Sequence, residues 1–192
     1  MSIILLGSKG QLGSELKKKL NSINKKTFYY DHSNLDITNF KNIKKEFKKV
    51  NPKIIINCSA YTDVDGCEKN PRYAFKVNAL GPKYLAIISN ITDSKLIHIS
   101  TDYVFDGNTN NPYKEYNIVN PIDIYGKSKL MGEKFVKNFS NKYFIFRTAW
   151  LYGEGNNFVN TMINLSDDKN KLDVISDQFG SPTSTKGNIK FN

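Results

Sequence analysis

The chain has 192 residues, 39% of them hydrophobic and 12% aromatic; that suffices for one domain with an ordinary core and excludes a disordered polymer. Its 28 lysines and arginines against 18 aspartates and glutamates leave a formal net charge of +10. The longest early apolar run, Ile3 to Leu6, falls far short of a signal-peptide core or a membrane span, so the expectation is a soluble cytoplasmic protein with no membrane partner.

The positive charge invites a nucleic-acid reading that its make-up opposes. All but two of the basic residues are lysines, the exceptions being Arg72 and Arg147, whereas base and phosphate readers lean on arginine's bidentate fork. Lys17-Lys18-Lys19, Lys44-Lys45 and Lys48-Lys49 fall on segments with helical apolar spacing and no interleaved aromatics, the pattern of solvated helix faces. No nucleic-acid partner is expected. Cys58 and Cys67 make no Cys-x-x-Cys pair, and His32 and His98 cannot build a multi-histidine metal centre. Cys58 reads as a small buried hydrophobe.

A short apolar run followed by an amphipathic helix is the recurring unit. Ile3 to Leu6 predicts the first strand, and Leu12, Leu16 and Leu20 mark the inner face of the helix after it. Phe28 to Tyr30 predicts the second strand, and Phe40, Ile43 and Phe47 share one face of the next helix. Lys53 to Asn57, with Ile54-Ile55-Ile56, reads as a strand buried on both sides. A helix is expected from Pro71 to Ser89, with Ala74, Val77, Tyr84, Ile87 and Ile88 turned inward. Lys95 to Ile99 predicts the fourth strand, with His98 packed inside it, and a helix runs from Tyr125 to about Asn138. A fifth strand at Tyr143 to Phe146, a helix over Phe158 to Leu165 and a sixth strand at Leu172 to Ile175 complete the pattern. The alternation argues an α/β fold, a doubly wound, Rossmann-like parallel sheet with right-handed crossovers on both faces.

Gly7, Gly10 and Gly13 stand between the first strand and the first helix, in Gly7-Ser8-Lys9-Gly10-Gln11-Leu12-Gly13. Glycines there let the backbone turn tightly and approach a pyrophosphate, which rests on the free N–H groups of the helix N-terminus. Asp31 after the second strand, with Asp36 five residues on, supplies acids that can accept both adenine-ribose hydroxyls. With no arginine nearby to welcome a 2′-phosphate the reading tilts to NADH, and Lys9 works against that tilt. The small-residue turn Asn57-Cys58-Ser59-Ala60-Tyr61-Thr62 leaves the carboxyl end of the third strand, where it should flank the cofactor.

Tyr125 and Lys129 are four apart on one helix, hence neighbours on one face. A free tyrosine, with a pKa of about 10, is a poor acid–base group near neutrality, and a nearby ammonium lowers that value. Thr101 at the end of the fourth strand can hydrogen-bond a carbonyl oxygen. The trio is a device for moving a proton while a nicotinamide moves a hydride.

With these residues the chain resembles the extended short-chain dehydrogenases/reductases, and among them the dTDP-4-dehydrorhamnose reductases. The resemblance rests on Gly7 to Gly13, Asn57 to Thr62, Val64 to Glu68, Asn78, Ser100 to Gly107, Tyr125 to Lys129, Phe146 to Trp150 and Asp177 to Thr183, in order over nearly the whole chain. It implies NADH- or NADPH-dependent reduction of the 4-keto group of dTDP-4-dehydro-6-deoxy-L-mannose to dTDP-L-rhamnose. On that reading Tyr125 donates the proton to the new hydroxyl, Lys129 binds the nicotinamide ribose and depresses the tyrosine's pKa, and Thr101 holds the keto oxygen. Asp102, Tyr103 and Trp150 lie beside the sugar. Gly10, Gln11 and Leu12 contact the pyrophosphate, and Ala60, Tyr61 and Thr62 line the cofactor. Some members dimerise through Mg2+ held by glutamates. Glu15 sits where one is expected, its partners have no counterpart that can be assigned, and no metal residue is named; a homodimer is the protein partner the resemblance suggests.

Members of that family run on past Asp177-Gln178-Phe179-Gly180-Ser181-Pro182-Thr183 into a lobe that closes over the sugar nucleotide. The division expected here is a nucleotide-binding domain over 1–176, holding the trio, and the start of a shortened substrate lobe over 177–192. The competing reading, of another class, is a non-catalytic NAD(P)-binding subunit, such as the beta regulatory subunit of methionine adenosyltransferase, or an inactive remnant. Retention of Thr101, Tyr125 and Lys129 together favours catalysis.

Overall fold

The computed structural model describes residues 1–23, 25–155 and 157–186. At its centre are five parallel strands, β1 (Ser2–Leu6), β2 (Lys26–Tyr30), β3 (Ile54–Asn57), β4 (Lys95–Thr101) and β5 (Tyr143–Thr148), in the spatial order β2-β1-β3-β4-β5. Leu6 is in register with Tyr30 on one side and Asn57 on the other, and Thr101 with Thr148. All strand carboxyl ends therefore share one rim. The order reverses between β1 and β3, where a doubly wound sheet opens its crevice.

The alternation of side chains along β1 divides the core. Ile4 and Leu6 face α2 (Phe40–Val50), α5 (Gly81–Ile91) and α6 (Ile124–Phe139), packing with Ile43, Phe47, Leu85, Ile88 and Val136. Ile3 and Leu5 face the other way with Ile56, onto Leu16 and Leu20 of α1 (Gln11–Ser22). The lysine runs at 17–19, 44–45 and 48–49 are exposed on the outer faces of α1 and α2. No helix among the described residues is long and apolar enough to cross a membrane.

Three expectations are corrected. The helix foreseen from Pro71 to Ser89 is interrupted: after α3 (Val64–Lys69), α4 (Pro71–Phe75) passes into a π-helical turn at Lys76–Leu80 before α5. Pro82 has no N–H to give the Asn78 carbonyl four residues earlier, and the chain absorbs the defect by widening the turn, with the Gly81 N–H bonding the Lys76 carbonyl. Leu172–Ile175 is not a strand. A strand needs a ladder partner and a covered face, and Val174 and Ile175 are exposed. Instead Leu151–Tyr152 (β6) pairs in parallel with Thr183–Ser184 (β7). Finally, α7 (Phe158–Asp168) runs past Leu165 and buries none of its residues. Of the segment expected over 177–192, residues 187–192 lie outside the described residues.

The widened turn has a use. It sets the buried Asn78 so that its amide oxygen accepts the Tyr61 N–H at 2.8 Å while its nitrogen donates to the Tyr61 carbonyl at 2.9 Å and to Ser128 Oγ of α6 at 3.0 Å. One side chain thereby ties the loop after β3 to the helix that carries Tyr125 and Lys129. Asn78→Ala removes all three bonds, leaving the Tyr61 N–H unpartnered and its carbonyl with only the Cys67 thiol at 3.8 Å, and a loss of about 2–4 kcal/mol is expected, to be read as a lowered urea midpoint at unchanged m-value.

Candidate active site

The rim at the β1–β3 reversal is built by a turn that tolerates little but glycine. Gly7 takes φ +73°, a left-handed conformation that side chains disfavour. A Cβ on Gly13 would stand 2.0 Å from the Gly7 carbonyl oxygen, so α1 leaves the strand in direct backbone contact. Gly10 precedes α1 without a side-chain cap, and the first turn holds no acid. The leading N–H groups of α1 are thus left to whatever occupies the crevice.

That crevice is a cavity of about 510 Å³. Gly10 to Gly13 after β1, Ala60 and Thr62 after β3, and Thr101, Asp102, Tyr103, Tyr125, Lys129 and Trp150 all line it. The glycine turn and the Thr101–Tyr125–Lys129 trio thus meet in one space. Cys58, expected as a buried hydrophobe, is half-buried in its wall. The Gln11 Nε2 and Ser100 Oγ atoms are buried with no hydrogen-bond partner among the described residues. Gln11 opens α1, so its orphaned amide at an uncapped helix start is what a bound polar molecule would satisfy, and the glycine cradle leaves room for a pyrophosphate. The residues present fit a dinucleotide.

Other expected residues sit at or beyond the margin. Asp31 follows β2 and is buried, with Lys9 Nζ at 2.7 Å from its carboxylate and the Ser33 N–H donating to it at 2.8 Å. Lys9 first, then Ser33, holds this carboxyl well below the usual carboxylate range. Asp36 is not brought to the cavity: it is exposed and accepts from the Thr38 N–H and hydroxyl at 2.8 and 2.9 Å, a turn leading into α2. Tyr61 presents its backbone to Asn78 and packs its ring edge-on against Tyr73, centroids 5.0 Å apart, and so does not line the cavity. Glu15 accepts from Lys18 at 2.8 Å, and Lys18 also bonds Glu154. Among the described residues no group of three His, Cys, Asp or Glu side chains is placed to hold a metal.

The electrostatics of the trio depart from expectation. Lys129 is 2% exposed, and its ammonium donates to the Ile99 carbonyl of β4 at 2.6 Å. Burial brings its pKa down to about 8, against the charge of Glu133 and then Cys58, which raise it. Tyr125 is not lowered by this neighbour. Burial drives the phenol up to about 12, with the Thr101 hydroxyl pulling the other way. The lysine is drawn toward the strand backbone, and desolvation then dominates the phenol. Asp102 accepts from Thr101 at 3.1 Å and is raised by burial. Tyr103 meets Tyr125 edge-on, centroids 5.5 Å apart. Trp150 stands at φ +44°, and a Cβ on Gly180 would lie 2.7 Å from its indole, so the 177–183 segment passes over that ring.

Sequence reasoning missed a pair behind the trio. Arg147 of β5 forks onto Glu133 of α6, its Nε and Nη2 donating to the two carboxylate oxygens at 2.8 and 2.7 Å. The spacing Tyr125, Lys129, Glu133, each four apart, was the available signal. A glutamate in a lysine-rich helix looks like one more surface charge until its burial is known.

A family model described as the RmlD substrate binding domain matches residues 1–189. The dTDP-4-dehydrorhamnose reductase of Aggregatibacter actinomycetemcomitans is 42% identical over 183 residues, 94% of this chain and 62% of that protein. A solved dTDP-4-dehydrorhamnose reductase from Clostridium acetobutylicum superposes with a TM-score of 0.95 at 49% identity, covering 97% of this chain and 66% of that one. The Bacillus anthracis enzyme, solved in complex with NADP, gives a TM-score of 0.92 at 45% identity over 96% and 66%. This chain thus spans less than two thirds of the length of these relatives. By the match along nearly all of its residues, the chain belongs to the RmlD substrate-binding-domain family.

Proposed function

We propose that this chain carries the nucleotide-binding and proton-transfer half of an NAD(P)H-dependent reductase that converts the 4-keto group of dTDP-4-dehydro-6-deoxy-L-mannose to the alcohol of dTDP-L-rhamnose. The single observation that carries the reading is the convergence of Thr101, Tyr125 and Lys129 on the cavity that Gly10 to Gly13 also line. The substrate class follows from the named activities of the relatives at 42–49% identity. When bound, the nicotinamide supplies a hydride. Gln11 and the leading N–H groups of α1 hold the pyrophosphate, Ala60 and Thr62 line the passage, and Lys129 holds the ribose. Tyr125, held protonated near neutrality by burial, gives its proton to the new oxygen, with Thr101 donating to that oxygen beforehand. Asp102, Tyr103 and Trp150 receive the sugar. The setting proposed is the cytoplasm.

The nucleotide preference follows from the Lys9–Asp31 pair. Asp31 can accept adenine-ribose hydroxyls, and Lys9 can turn from it to a 2′-phosphate, so both nucleotides are accepted. Lys9→Gln is expected to weaken NADPH binding about 10-fold, the scale of one charge-assisted hydrogen bond, while leaving NADH within about 3-fold by titration calorimetry. Tyr125→Phe is expected to lower NADPH oxidation on dTDP-4-dehydrorhamnose by about 10²–10⁴-fold, the usual worth of a general acid, with nucleotide affinity unchanged. Absence of turnover in the unsubstituted protein, with nucleotide bound, would favour a binding subunit instead.

A further inference from the structure

We infer that Glu133, clamped by Arg147, is a positioning residue for Lys129: it stands one helical turn behind the ammonium as its buried counter-charge and locks α6 to the ends of β4 and β5. The inference rests on the nucleotide-binding role proposed above and extends it to a residue outside the cavity.

The geometry carries it. Tyr125, Lys129 and Glu133 recur at four-residue spacing on α6, so they share one face. Lys129 and Glu133 are 2% and 1% exposed, inside a helix otherwise rich in solvated lysines. An ionised carboxylate is rarely left that dry without a partner, and Arg147 provides a bidentate one. Arg147 lies in register with Ser100, the residue before Thr101, and its guanidinium covers the Phe105 ring at 5.0 Å. Strand end and helix are therefore held by one fork, and with them Thr101 relative to Tyr125. The row Arg147, Glu133, Lys129 alternates in sign, which makes the second buried cation tolerable.

The ionisable groups around Lys129 come from every element packed there. Cys58 follows β3, His98 lies on β4, Asp102 begins the turn after it, and Tyr125 and Glu133 share α6, with Arg147 behind on β5. Burial pushes the Cys58 thiol up to about 12 and holds His98 well below its ordinary value. The phenol sits near 12. Against burial, which raises it, the Arg147 fork keeps Glu133 below the ordinary carboxyl value. Burial brings Lys129, at about 8, into the range from pH 6.5 to 9.5.

The test is NADH binding to the purified chain across that pH range, read from the emission of its single tryptophan, Trp150, which lines the cavity. Unsubstituted protein should bind evenly to about pH 8 and weaken above it, and Lys129→Met should abolish that limb. Glu133→Gln alone strands a guanidinium, so the main variant is Glu133→Gln with Arg147→Met, in which the Lys129 ammonium is the one charge that loses its partner. Its alkaline limb should begin about one pH unit lower, the size of effect a nearby charge has on a pKa. At pH 7.5 binding should be about 3-fold weaker than in the unsubstituted protein, the ratio of charged fractions for a group near 8 and one about a unit lower, and should converge with it toward pH 6.5. Glu133→Asp, which keeps the charge, should restore the original limb. A folded double variant with the original pH profile would overturn the inference, as would an alkaline limb that survives Lys129→Met. Failure of the unsubstituted protein to bind NADH or NADPH would instead refute the nucleotide-binding role itself, and the inference with it.

Discussion

A parallel sheet delivers all its strand ends to one rim, and in this protein the tightest point on that rim is the contact between Gly13 and the Gly7 carbonyl. Nothing larger than hydrogen fits between helix and strand there. That contact aims the start of α1 at the crevice, sets how close a ligand can come to backbone N–H groups, and seats Leu16 and Leu20 on their side of the sheet. Thr101 is then placed by strand register, and Tyr125 and Lys129 by helix periodicity.

Around this frame the buried charges are few and arranged in alternation. Lys129 is made costly by burial and tolerable by Glu133, and Glu133 in turn by Arg147. Asp31 depends on Lys9 in the same fashion at the far end of the crevice. The phenol between these poles stays neutral because its surroundings are dry. The cavity thus presents donors and neutral hydroxyls to a ligand and keeps its anions engaged or at the margins.

Much of this was legible in the residues themselves. Uniformly apolar runs such as Ile54-Ile55-Ile56 name a buried strand because no other element hides both faces, and the glycine spacing after β1 names a backbone approach. The trio was found because four-residue spacing on a helix is a distance in disguise. What stayed hidden depended on partners far along the chain. Leu172 to Ile175 has the composition of a strand, yet nothing in its own sequence says whether a neighbour will offer a ladder. Asp36 looks as much like a ribose acceptor as Asp31 until Thr38 claims its carboxylate. Glu133 could not be told from surface acids, since its burial depends on Arg147. The expected lowering of Tyr125 failed for a related reason: proximity along a helix does not say which way an ammonium turns.

The π-helical turn at Lys76–Leu80 makes the residue count of that stretch a structural quantity. A π-helical turn holds one residue more than the α-helical turn it replaces, so deleting one residue there would close the turn and leave α4 and α5 in phase. Ala74 would stay inward, and the amide of residue 78 would lose the widened turn that presents it to the Tyr61 backbone. The widened turn and the Asn78 side chain it presents therefore hold the wall of the crevice together, and losing either one loosens it.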